Sequence, residues 1–235
     1  MTCRHAYLWP LLAAIIFTIA PCAVAQYAYT GVKGIAHFEI SDRWLARAHI
    51  ALGHGHADEP YNAFGAALGA GFKLSRDAML AGSCSLTHAN YSGLDNKDLI
   101  LHLTESISWR RPSGFFFGFF FEQRRLIYHP SDYKINTSCF GGLIGYEHTW
   151  QKTGILARAF AVVTANTKSE NSSAQFIQRV KGFVSLRKRV GEVVAVGADY
   201  SYAVGGEHQI YIADRDGLHL FNVAVDISLR RTSSR

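Results

Sequence analysis

The sequence is short of three things: cysteine, charge and long apolar runs. Four cysteines occur among 235 residues, and two of them, Cys3 and Cys22, lie in the first 25. Beyond that point only Cys84 and Cys139 remain, which excludes a disulfide scaffold. There is no CxxC pair and no clustered Cys/His spacing of the kind that holds structural zinc. Charged residues make up 18% of the chain, below the roughly 25% of an average soluble protein. After residue 25 no apolar run approaches the roughly 20 residues that a spanning helix requires, so a helical-bundle membrane protein is excluded. Disorder is excluded too, because apolar content is 49% and the formal balance is only +6. What is plentiful is glycine, at 21 residues, and aromatic side chains, at 13%.

Met1 to Ala25 reads as a cleaved secretory signal peptide. Arg4 and His5 form a short positive region, Leu8 to Ala20 an apolar one, and Ala23-Val24-Ala25 a small-x-small site before Gln26. Cys22 invites a lipoprotein reading, but Pro21 beside the processed bond fits that poorly. With Arg4 removed and no acid lost, the balance of +6 falls to +5.

From Arg43 onward the chain is written in period two. Trp44, Ala46, Ala48, Ile50 and Leu52 form one row of a segment, and Leu45, Arg47, His49 and Ala51 the other. His219, Phe221, Val223, Val225, Ile227 and Leu229 alternate in the same way with Leu218, Leu220, Asn222, Ala224, Asp226 and Ser228. Such alternation marks strands with one apolar and one mixed face. Short turns at Ser75–Asp77, Arg111–Gly114, His148–Thr153 and Arg189–Glu192 alternate with longer polar segments such as Thr167–Ser173 and Gly205–Asp216. That is the loop asymmetry of outer-membrane barrels. The count is ten strands between Trp44 and Leu229, within a range of eight to twelve. Residues 26–43 form a lead-in segment or an extra strand, and 230–235 a basic tail.

Three features favour a membrane barrel over a soluble sandwich or a lipocalin-like barrel. The segments reach the roughly 9–11 residues that a tilted spanning strand needs, against five or six in soluble sheets. Trp44, Trp109 and Trp150 fall at strand ends on the short-turn side, and Tyr61, Tyr91, Tyr128 and Tyr133 on the long-loop side, as two interfacial aromatic belts would. The row Ala63, Gly65, Ala67, Gly69 and Gly71, turned to the lumen, leaves room for long side chains from opposite strands. In "GFFFGFFFEQRR", Phe115, Phe117, Phe119 and Phe121 then face lipid, while Phe116 and Phe120 share the inner row with Gly118, Glu122 and Arg124. Glu105 is the discordant residue. It sits in the apolar row of Leu99, Leu101, Leu103, Ile107 and Trp109, so either a bulge turns it inward or that row is not the lipid face.

Cys84 and Cys139 fall three strands apart, about 14 Å at 4.8 Å per strand, whereas a disulfide needs Cα atoms within about 7 Å. Two free thiols are expected. His54 and His56 in "GHGHADE" have the residue type of metal ligands, but a solvated loop is the plainer account.

On these alternating segments and turns, the region from Trp44 to Leu229 resembles an outer-membrane β-barrel protein of Gram-negative bacteria. The resemblance implies an all-β, transmembrane, antiparallel up-and-down barrel in the cell outer membrane, in contact with outer-membrane lipids and delivered by the barrel-assembly machinery. Val223, Val225, Ile227 and Leu229 supply the alternation of a closing strand, although Leu229 is not the usual terminal aromatic.

No GxSxG or HExxH motif is present. "THANYSG" is faintly similar to the His-x-Ser-Asn stretch of outer-membrane lipid A deacylases. The resemblance gives His88 the base's place, but Asn90 stands where the nucleophile would be. Ser92 lies two positions on, and Glu105 is the nearest acid. Nucleic-acid binding finds no motif either, the basic strings "SLRKR" and "RRTSSR" reading as a solvated rim. The leading expectation is therefore a non-enzymatic, porin-like barrel without cofactor or metal. Its filled or narrow lumen would be lined by His102, Arg110, Glu122, Arg124 and Arg158, serving a structural role or the passage of an unidentified small solute. A membrane hydrolase using His88 and a surface-binding protein acting through its outer loops are the alternatives.

Overall fold

The computed structural model describes residues 28–56, 60–91, 97–129, 134–169, 178–204 and 218–229. The leader reading of 1–25 and the basic tail 230–235 lie outside them. The described residues form eleven strands: β1 (Ala28–Glu39), β2 (Trp44–His56), β3 (Tyr61–Lys73), β4 (Ala78–Tyr91), β5 (Lys97–Arg110), β6 (Phe115–His129), β7 (Lys134–Trp150), β8 (Ile155–Ser169), β9 (Gln178–Arg189), β10 (Val194–Val204) and β11 (Leu218–Leu229). They close into one barrel in sequence order, β11 meeting β1.

The ten strands expected between Trp44 and Leu229 are β2 to β11. The eleventh comes from the segment left open, and it breaks the even count. "GVKGIAHF" alternates as the other strands do, and it fills the gap between β2 and β11. It pairs antiparallel with β2, Val32 opposite Leu52. It pairs parallel with β11, Val32 opposite Val223 and Phe38 opposite Leu229. An odd number of strands makes one parallel seam unavoidable. β1 thus begins at one rim and β11 ends at the other.

One rim carries five turns of like length, at 40–43, 74–77, 111–114, 151–154 and 190–193. Two are tied by a serine hydroxyl: Ser41 Oγ accepts from Trp44 N at 3.1 Å, and Ser75 Oγ from Ala78 N at 3.1 Å. Two need glycine, with φ of 93° at Gly114 and 64° at Gly154. The connections at the other rim span 57–60, 92–96, 130–133, 170–177 and 205–217. Only the last two are clearly longer, because the strands run further into the expected loops than the polar residues indicate.

The side chains are distributed inside out. Leu68, Ile50, Phe119, Phe140, Val163 and Val223 are large, apolar and exposed, Leu68 at 70%. Asp98, Glu122, Thr164, Ser185, Arg187, Asp199 and Ser201 are buried. A water-soluble fold does the reverse. The register explains it: the outward rows are mostly apolar, as in Phe38, Ala46, Ala70 and Gly82 before that row reaches Glu105, or Tyr200 and Phe221 before theirs passes through Thr30 to His54. On β11 the run from Phe221 to Leu229 gives a belt about 20 Å tall for strands tilted about 40°.

Glu105 stays in its outward row. It pairs with Gly82 on one side and Phe121 on the other, with no register shift along β5. No bulge turns it inward. Among the described residues the ladders shift register only between Ser138 and Cys139, against β8. Neither Cys84, exposed on the outer row, nor Cys139, buried on the inner, forms a disulfide. They lie on β4 and β7, the three-strand spacing expected.

Candidate functional site

Eleven strands about 4.8 Å apart and tilted about 40° enclose a backbone ring roughly 22 Å across. What fills it differs from side to side. The wall of β2 to β4 is nearly bare: Ala51 and Gly53 face Gly65 and Ala63, which face Thr87 and Ala89. The strands from β5 round to β1 carry long charged side chains toward that wall, and these gather into three clusters.

The first spans the parallel seam. Arg187 on β9 sends Nη1 to Asp199 Oδ1 at 2.6 Å and Nη2 to Asp199 Oδ2 at 3.0 Å. Its Nε reaches Asp226 Oδ2 on β11 at 2.9 Å. It passes over Gly197, its register partner on β10. Lys33 on β1 pairs with Asp199 across β11, its Nζ lying 5.7 Å from the centre of the Phe183 ring. One buried carboxylate, one half-buried carboxylate and two cations thus join four consecutive strands.

The second cluster centres on Glu147 of β7. Arg110 of β5 donates to it twice, at 2.8 and 3.3 Å, and Arg158 Nε of β8 at 2.7 Å. In the third, Glu122 of β6 pairs with Arg124 and, at 3.1 Å, with His102 Nε2 of β5. Arg47 on β2 stands apart. Among the described residues it makes no ion pair. It is exposed on the inner row, in the field of Arg158, Arg187, Asp199 and Asp226.

Toward the other rim the lumen narrows on aromatic rings. Tyr61 is 1% exposed and lies between Tyr29 and Tyr91, with ring centroids 6.4 and 5.6 Å away. Tyr91 Oη donates to Asp98 Oδ2 at 2.8 Å. Gly53 and Gly55 make room: a Cβ on either would run into the ring of Tyr29 or Tyr61.

The structure therefore places His102, Arg110, Glu122, Arg124 and Arg158 on inner rows and joins them through Glu122 and Glu147. Phe116, Gly118 and Phe120 also face inward, with Phe115 to Phe121 alternating outward as expected. Trp44, Trp109 and Trp150 stand on outer rows at the short-turn rim. Tyr61 and Tyr91 correct the aromatic-belt expectation. They share the inner row with Ala63 and Ala89 and pack inside the barrel. Tyr133 and the side chain of Tyr128 lie outside the described residues. Arg187 corrects the reading of "SLRKR" as a solvated rim, since its parity turns it to the lumen.

The hydrolase candidates are not gathered. His88 faces outward opposite Phe64 and Leu99. Glu105 lies six residues beyond Leu99 on the same strand, about 20 Å away at 3.4 Å per residue. Ser92 lies outside the described residues. His54 Nδ1 lies 3.0 Å from Asn62 Oδ1, with the His56 ring 4.8 Å off. No group of three metal-binding side chains forms among the described residues.

A closed ribbon with an apolar exterior and an ionic interior has the architecture of an outer-membrane β-barrel. Solved structures of that class match it. The translocator domain of the autotransporter NalP from Neisseria meningitidis is similar over 72% of this chain and 70% of its own, at 13% identity and a TM-score of 0.54. The NanC porin is similar over 87% of this chain and 100% of its own, at 12% identity and a TM-score of 0.51. No family model and no curated protein matches the chain. At these identities the likeness is one of fold.

Proposed function

We propose that this protein resides in the outer membrane as a narrow passage for small anionic solutes. The observation that carries the reading is Arg47. An inward cation without a carboxylate partner among the described residues, facing lumen water, is a fixed positive charge along the path. The small inner residues of β3 and β4, Gly69 opposite Arg47 among them, supply the space beside it. Arg110 and Arg158 are two cations to the single Glu147 and add to the surplus. Rings of such side chains set the sign of permeant ions. The tyrosines at the far end restrict the passage to small solutes, well short of the wide pores of sixteen-stranded barrels.

Planar bilayers tests this directly once the refolded protein is inserted and a KCl gradient is applied. The reversal potential is expected to favour chloride, and Arg47→Glu is expected to move it toward potassium. Preserved heat-modifiable migration on a gel controls for folding. Absence of conductance, or cation preference in the parent protein, overturns the reading.

A further inference from the structure

The outer wall is not uniform. Across β7 to β11 two neighbouring rows run in register: Tyr146, Ala159, Val184 and Tyr200, and Ile144, Ala161, Gly182, Tyr202 and His219. The middle of each row is small or short and the ends are bulky. The result is a concavity of about 830 Å³ on the outer face, with Ala159 and Gly182 at its floor and Tyr146, Tyr200, Tyr202 and His219 around it. A Cβ built on Gly182 meets nothing within 4 Å. The volume lies within the ~300–1,000 Å³ range of small-molecule sites.

We infer that this groove holds one acyl chain of a lipid from the leaflet at the loop rim. The surface around it is the apolar belt, with Val163 and Phe221 among its exposed members, so the groove is continuous with the hydrocarbon-facing wall. Tyr146 brings a hydroxyl toward the short-turn rim, and the larger polar group lies at the loop rim, near the start of β11. There Tyr200 Oη and His219 Nδ1 are 2.9 Å apart, and the Tyr202 ring lies 4.7 Å from that of His219. An apolar trough ending in hydroxyl and imidazole matches a chain joined to a polar head. A second copy fits less well. A two-fold contact sets the same patch against itself, and here it would oppose two hollows and leave a void.

The inference rests on the membrane residence proposed above and not on conduction. The refolded full-length chain is inserted into dioleoylphosphatidylcholine vesicles doped with a phosphatidylcholine carrying a diazirine in its palmitoyl chain. After irradiation, labelled peptides are mapped. Labelling of β8 to β10 is expected to exceed severalfold that of the β2–β3 face around Ile50 and Leu68. It is expected to fall to that level in Gly182→Leu, with β2–β3 labelling unchanged. Ala159→Leu provides a second way to fill the groove should the first variant fold poorly. Even labelling around the barrel, or an excess that survives both variants, overturns the groove alone. Loss of labelling everywhere overturns membrane residence with it. A dimer that shields β8 to β10 from the probe also overturns the inference, in favour of a second copy.

Discussion

Arg187→Met is the sharpest probe of the ionic interior. The Arg187 side chain is 6% exposed, Asp199 2% and Asp226 19%. The variant removes three charge-assisted hydrogen bonds and leaves Asp226 without its cation, while Asp199 keeps Lys33. Removing one partner of a buried ion pair costs about 3–5 kcal/mol, because the other charge stays buried and uncompensated. Retention of Lys33 places the expected loss near the lower end of that range. Arg110→Gln is the internal control. Arg110 also holds a carboxylate with two bonds, but its side chain is 57% exposed, and pairs so exposed contribute about 0–1 kcal/mol. Reversible urea unfolding from lipid vesicles, followed by tryptophan emission, reads both. High salt should shrink the Arg110 effect and leave the Arg187 effect nearly intact, since buried pairs are weakly screened. Equal losses in the two variants, or a loss under about 1 kcal/mol for Arg187→Met, would show a solvated network and refute the reasoning.

Other outcomes follow from single residues. Glu105→Leu should stabilise the barrel by roughly 1 kcal/mol in the same urea assay, because a carboxylate on the lipid face is unfavourable. Gly114→Ala should destabilise it by about 1–3 kcal/mol, since the residue holds φ of 93° and its Cβ would strike the Glu147 carbonyl. Tyr61→Ala should raise single-channel conductance by removing the most buried ring of the loop-end stack, and an unchanged conductance would place the constriction elsewhere. A lipophilic maleimide should label Cys84 in folded, membrane-inserted protein and reach Cys139 only after unfolding, given exposure of the first and burial of the second.

Much of the wall was legible because parity is rigid in a strand. Once Ala63 to Gly71 are assigned to the lumen, every outward residue of β3 follows, and the alternation of Phe115 to Phe121 fixes β6 in the same way. Tyr61 shows the rule misapplied. It has the parity of Ala63, so the signal for an inward ring was present, but its place at a strand end favoured the interfacial reading. Glu105 shows the rule holding against chemical preference. The seam cluster was harder to see. Lys33, Arg187, Asp199 and Asp226 converge only when β1 closes the ring, and an even-numbered wall has no place for β1. Arg47 and Glu147 each occupy an inner row, but which cation finds a carboxylate depends on reach across intervening strands. Register fixes that and local sequence does not.

The parallel seam also sets the order in which the wall can be completed. Ten of the eleven contacts in the ring join strands that follow one another along the chain, so each forms as a hairpin across a brief excursion. The remaining contact brings Ala28–Phe38 against His219–Leu229, segments about 190 residues apart that point the same way. Nothing nearer in sequence guides that meeting, and its search entropy exceeds that of any other contact in the ring. Assembly is therefore expected to finish there, on an open sheet whose two free edges are its first strand and its last.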